Sequence, residues 1–131
     1  MAGTVHLVTG PPCGGKTFYV NLHRDKDDVV VDVDALRVAM GGHDFNGGTQ
    51  HVIAMKIAGQ IVYEARTLGY TVWFITVSHA PKIEYDDLVL IDPGIETCYK
   101  RAIEQRPSWT KHAIKTWYAN SGDTESPSRM W

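Results

Sequence analysis

What this chain lacks narrows the field before any motif is read. Two cysteines, Cys13 and Cys98, are too few for a disulfide framework. No basic, apolar, small-residue leader stands ahead of the first apolar run, so the chain reads as reduced and cytosolic. No apolar stretch reaches the roughly 20 residues of a membrane-spanning helix, and no membrane partner is expected. A cationic surplus is missing too. Lys and Arg number 13 against 15 Asp and Glu, a net charge of −2, so any contact with nucleic acid must be local rather than drawn by a general basic field. His43, His51 and His79 do not fall at a zinc spacing, and no cysteine pair joins them, so no structural metal is expected. Repeats and low-complexity tracts are absent. At 131 residues there is enough chain for one core and too little for two, so a single domain is expected over residues 1–122 with a loose polar tail at 123–131.

The apolar residues that are present fall into an alternating order. Short β-branched runs at Val5 to Val8, Val29 to Val33, Thr71 to Val77 and Leu88 to Ile91 read as buried strands. Helices are expected between and after them, at Lys16 to Arg24, Asp34 to Met40, Thr49 to Leu68, Ile95 to Gln105 and Thr110 to Asn120. In the third of these, Ile53, Ile57, Ile61 and Ala65 recur at four-residue spacing, the pattern of a core-facing stripe. Gly41, Gly42 and Gly69 stop helices. Such alternation predicts an α/β fold in which a four-stranded parallel sheet with right-handed crossovers is covered by helices on both faces.

One motif sits in that frame with its required context. GPPCGGKT, comprising Gly10, Pro11, Pro12, Cys13, Gly14, Gly15, Lys16 and Thr17, lies between the first strand and the first helix, the setting of a P-loop. Gly10, Gly14 and Gly15 are expected to take positive φ and turn backbone N–H groups toward phosphate oxygens. Lys16 reaches the β- and γ-phosphates, and Thr17 opens a helix whose N-terminus favours anions and whose hydroxyl can ligate Mg²⁺. The motif therefore predicts a bound polyphosphate with Mg²⁺.

The second strand ends in VVVDVDALR, at the edge of the sheet where the P-loop lies. If extended geometry persists through Asp34, Asp32 and Asp34 project the same way. Asp34 can then take a proton from an acceptor hydroxyl, while Asp32 can hold Mg²⁺ through water or cap the next helix. Arg37, three residues on, shares a helical face with Asp34 and can hold an anionic group. The plainer alternatives are that Asp34 is an N-cap and Arg37 a solvated charge.

A P-loop followed by a strand ending in Asp-x-x-Arg resembles the kinase domain of phage-type 5′-polynucleotide kinases and the small P-loop kinases of the AAA_33 type, which include phage hydroxymethyluracil DNA kinases. The resemblance implies that Asp34 is the general base and Arg37 binds a substrate phosphate. It also implies the P-loop NTPase three-layer α/β/α sandwich with the four strands in the order 2-3-1-4, and a helical lid after the fourth strand at about 95–120, matched by LIDPGIETCYKRAIEQRPSW, with Arg101 and Arg106 closing over the nucleotide. A solvated basic helix is the other account of those two arginines. Lys100, Lys111 and Lys115 read as surface charges or secondary contacts to a substrate backbone.

Some residues fit less well. The third strand carries Thr76 and Ser78 where many P-loop enzymes keep an acidic Walker-B residue, which shifts Mg²⁺ organisation to Thr17, Asp32 and the nucleotide. The four-glycine loop from Gly41 to Gly48 can serve as a substrate loop, with His43, Asp44 and Phe45 as base or sugar contacts. Trp73 and Phe74 are expected in the core, and Trp109 and Trp117 as lid packing or an adenine platform. Together these point to a kinase moving the γ-phosphoryl of ATP to a hydroxyl of a nucleic acid, either a 5′-OH end or a hydroxymethylated base. A nucleoside or small-molecule kinase and a non-catalytic nucleotide-binding module remain open beside it.

Overall fold

The computed structural model describes residues 2–42, 49–77, 83–105 and 109–121. Four short strands, β1 (Val5–Thr9), β2 (Val29–Asp32), β3 (Val72–Thr76) and β4 (Asp87–Leu90), form one parallel sheet of order β2-β3-β1-β4. This is the expected three-layer sandwich with the expected strand order. β1 and β3 are the central strands, in register Val5 to Val72, and all five β3 residues are buried. Strands covered on both faces read as continuous apolar runs, which is how these were legible.

Alternation along each strand divides the core in two. Val5, Leu7, Val31, Val72 and Phe74 point to one face and pack on α2 (Val33–Ala39) and α3 (Thr49–Thr67). Val8, Trp73, Ile75, Val89 and Ile91 point to the other, beneath Tyr19 and Val20 of α1 (Lys16–His23). Each fully buried aliphatic or Phe side chain contributes about 1.5–3 kcal/mol, and Phe74, at 0% exposure, is the largest of them.

α3 corrects half of the expected stripe, since Ala65 is buried and Ile61 packs against the core while Ile53 and Ile57 do not. Its buried residues are Ala54, Ala58, Val62 and Ala65, while Ile53 and Ile57 are 43% and 38% exposed. The helix is rotated by one residue because three alanines let its backbone lie close on β2 and β3, which isoleucines would hold away. Glycine ends α2 and α3 as expected, Gly41 and Gly69 standing at φ 87° and 88°.

After β4 the chain forms α4 (Ile95–Gln105) and α5 (Trp109–Ser121), paired around Cys98, Ala102 and Ile114. They dock on the C-terminal edge of the sheet. Trp117 is 6% exposed and donates from Nε1 to the Val77 carbonyl at 2.9 Å, so it is packing rather than an exposed platform. Tyr118 donates its hydroxyl to Asp92 Oδ1 at 2.6 Å. The expectations for Arg106, Ser78, His79, the His43 to Phe45 loop and the 123–131 tail lie outside the described residues. Among the described residues, no helix is long and apolar enough to cross a membrane.

Candidate active site

Residues 10–15 link β1 to α1, and Pro12 to Phe18 form one wall of an open cavity of about 190 Å³ at the C-terminal edge of the sheet. Positive φ occurs at Cys13 (61°) and Gly15 (98°), not at Gly10 or Gly14. Those two glycines answer a different need. A Cβ at Gly10 would stand 2.3 Å from the Ile91 carbonyl oxygen, and one at Gly14 2.9 Å from that of Pro11. They are required by close backbone approach, and Cys13 carries a left-handed turn that a glycine would make without steric cost.

Gly15 is the N-cap of α1, which has no side-chain cap and no acidic residue in its first turn. The positive end of that helix is therefore left to an anion. Lys16 donates from Nζ to the carbonyls of Gly10 and Pro11, at 2.9 and 2.7 Å. Burial drives its ammonium down from 10.5 to about 8, against the opposing pull of Asp34 and Asp32. Lys16 and Thr17 both line the cavity.

The opposite wall holds both carboxylates, although not by the route expected. β2 ends at Asp32 and α2 begins at Val33, so extended geometry does not persist to Asp34. Asp32 is the helix N-cap, its Oδ1 accepting from the N–H groups of Asp34 (3.0 Å) and Ala35 (3.3 Å). Asp34 sits in the first turn, half-buried in the cavity wall, and the N-cap alternative for it is overturned. Desolvation raises its pKa above the ordinary carboxylate value, opposed first by Arg37. Arg37 donates from Nη2 to Asp34 Oδ1 at 2.9 Å and lies 3.0 Å from His51 Nδ1 through Nη1. At 4% exposure it is not a solvated charge. It stands behind Asp34 rather than in the cavity wall.

Arg101 is also set back. From α4 its Nη1 donates to the Cys13 carbonyl at 3.0 Å, tying that helix to the P-loop. Thr76 ends β3 in the cavity wall where a Walker-B carboxylate was missing from the sequence. Thr110, from α5, completes the wall, and nothing local in the sequence marked it.

No cluster of three His, Cys, Asp or Glu side chains among the described residues could hold a metal by itself. Mg²⁺ does not need one, because it keeps waters and takes one or two carboxylates plus substrate phosphates. The Thr17 hydroxyl and the Asp32 carboxylate share one cavity, and the cap occupies only Oδ1 of Asp32, so these residues fit the ion.

No protein-family model matches the chain, and no curated protein matches it. Solved structures do. One chain of the Pnkp1/Rnl/Hen1 RNA repair complex is similar over 95% of this chain at a TM-score of 0.72 and 16% identity. A chain of a second Pnkp1/Rnl/Hen1 complex is similar over 76% at 0.64 and 17% identity. The crystal structure of APE1195 is similar over 96% at 0.51 and 20% identity. The present chain spans 47% and 39% of the first two chains' length and 79% of the third. At these identities the likeness is one of fold, that of the parallel α/β sheet described above.

Proposed function

We propose that the chain is a Mg²⁺-dependent P-loop kinase that transfers the γ-phosphoryl group of ATP to a hydroxyl of a nucleic acid, a 5′-OH end or a hydroxymethylated base. The observation that carries this reading is the placement of Asp34: a half-buried carboxylate of raised pKa in the same cavity as Lys16 and Thr17. A carboxylate made more basic by burial, beside a loop suited to phosphate, is what proton removal from an acceptor hydroxyl needs. That two of the fold neighbours are chains of Pnkp1/Rnl/Hen1 complexes, one of them described as an RNA repair complex, favours a polynucleotide acceptor.

In this mechanism the P-loop backbone and Lys16 hold the donor phosphates in line with the acceptor. Arg37 fixes Asp34 Oδ1, and the other carboxylate oxygen takes the hydroxyl proton as the acceptor oxygen bonds to Pγ. The bond from Pγ to the β–γ bridging oxygen breaks, and ADP leaves with that electron pair. Mg²⁺, held by Thr17, Asp32 and the phosphates, would neutralise charge on the transferring group. Arg101 steadies the loop through the Cys13 carbonyl. Arg106 is assigned to the nucleotide on the family resemblance.

The net charge of −2 favours a second reading, a nucleoside or small-molecule acceptor. Incubation with labelled ATP and hydroxyl-ended or hydroxymethylated polynucleotides decides between them, since label on a nucleoside and on no polynucleotide sinks the first. Asp34→Asn tests catalysis itself: turnover is expected to fall about 10²–10⁴-fold with ATP binding kept. Unchanged turnover in that variant would leave Asp34 without a catalytic role.

A further inference from the structure

A threonine that the P-loop motif does not contain lines the same cavity. Thr110, in the first turn of α5, is 2% exposed and lines the wall that Lys16 and Asp34 also form. Its Oγ1 is buried without a hydrogen-bond partner among the described residues, and it is the only side-chain polar atom there of which that is true. Burying such a group unpaired costs free energy, and a valine would fill the same volume without the cost. A threonine is therefore suited to this wall if a ligand supplies the partner.

The surroundings identify the ligand's charge. α1 brings Lys16 and Thr17 to the cavity from its first turn, and that turn has no side-chain cap and no acidic residue, so the space facing Thr110 carries positive charge. The bonds from Trp117 to Val77 and from Tyr118 to Asp92 hold α5 in that place. Resting on the reading of the cavity as a nucleotide site, we propose that Thr110 binds polyphosphate, its hydroxyl donating to a phosphate oxygen of the nucleotide.

Thr110→Val removes the hydroxyl and keeps the shape, and Thr110→Ser keeps the hydroxyl. Calorimetric titration with MgATP and with inorganic triphosphate should show Thr110→Val weakened about tenfold for both, with Thr110→Ser close to wild type. The ligand-free Val variant should melt at or above the wild-type temperature, because it loses an unpaired buried group. Where Val disturbs packing, Thr110→Ala must show the same loss of affinity. Val and Ala variants that bind both ligands as wild type does overturn the role of Thr110 alone. A loss confined to MgATP also overturns it, since the hydroxyl then meets the nucleoside. Wild-type protein that binds neither ligand overturns the proposed function itself.

Discussion

Lys16 shows how one residue can tie stability and binding to pH with opposite signs. Its folded pKa of about 8 lies below its ordinary 10.5, so burial opposes the charged form. The ligand-free protein carries that penalty fully below pH 8 and sheds it as pH rises from about 8 to 10.5, where the unfolded chain binds more protons. Binding runs the other way. A polyphosphate requires the ammonium, so above pH 8 the protein must take up a proton to bind, and affinity is expected to fall by up to about tenfold per pH unit. Melting curves and MgATP titrations from pH 7 to 10 check both slopes, and Lys16→Met should flatten each. The motif spelling made Lys16 legible, because the residues that define a P-loop are contiguous. Its shift was not, since that depends first on burial in the folded chain and then on the opposing charges of Asp34 and Asp32, which arrive from another element.

Among elements, the β2–α2 junction separates two roles that one aspartate carries. Asp32 caps α2 and lines the cavity, and a cap lost to alanine costs about 0.5–2 kcal/mol, whereas asparagine caps as well as aspartate. Asp32→Ala is therefore expected to lower stability by about 1 kcal/mol, and Asp32→Asn to leave it nearly unchanged. Denaturant titration measures that difference. Both variants should raise the Mg²⁺ concentration needed for half-maximal activity, and an unchanged requirement in Asp32→Asn would confine the residue to capping. The Asp-x-Asp spelling could be read as an extended pair or as a cap followed by a helix. Backbone hydrogen bonding favours the second, because Oδ1 satisfies two N–H groups that the helix start leaves open. α3 illustrates the same limit. Its apolar residues permit two neighbouring faces, and the sheet selected the one with small side chains.

At the scale of the whole molecule, α4 and α5 form a docked cap whose bonds reach three parts of the sheet's C-terminal edge. Arg101 grips the Cys13 carbonyl, Trp117 the carbonyl of Val77, and Tyr118 the carboxylate of Asp92. Burial, and then the bond to Asp92, push the Tyr118 pKa far above its ordinary value, so this contact persists through any physiological pH. Arg101→Ala should loosen the P-loop without unfolding the sheet. The expected outcome is a stability loss of about 1–2 kcal/mol and faster amide exchange across residues 10–17, read by hydrogen-exchange mass spectrometry. Exchange that stays at the wild-type rate would remove Arg101 from the support of the loop. Its position in a helix after the fourth strand was legible from the chain order. Its partner was not, because residues 13 and 101 meet only when α4 folds back over the sheet.

By itself the sequence determined the alternation of strands and helices, the glycine-rich loop between β1 and α1, and the placing of Asp34 beside that loop. Those features arise from contiguous patterns and from the rules by which parallel strands and helices connect. Tertiary structure alone decided that Arg37 is buried behind Asp34, that Arg101 holds the loop, that α3 turns its alanines inward, and that Thr110 stands in the cavity. The physical reason is common to all four. Each depends on which side chains share space after distant segments pack, and on which polar atoms that packing leaves with a partner.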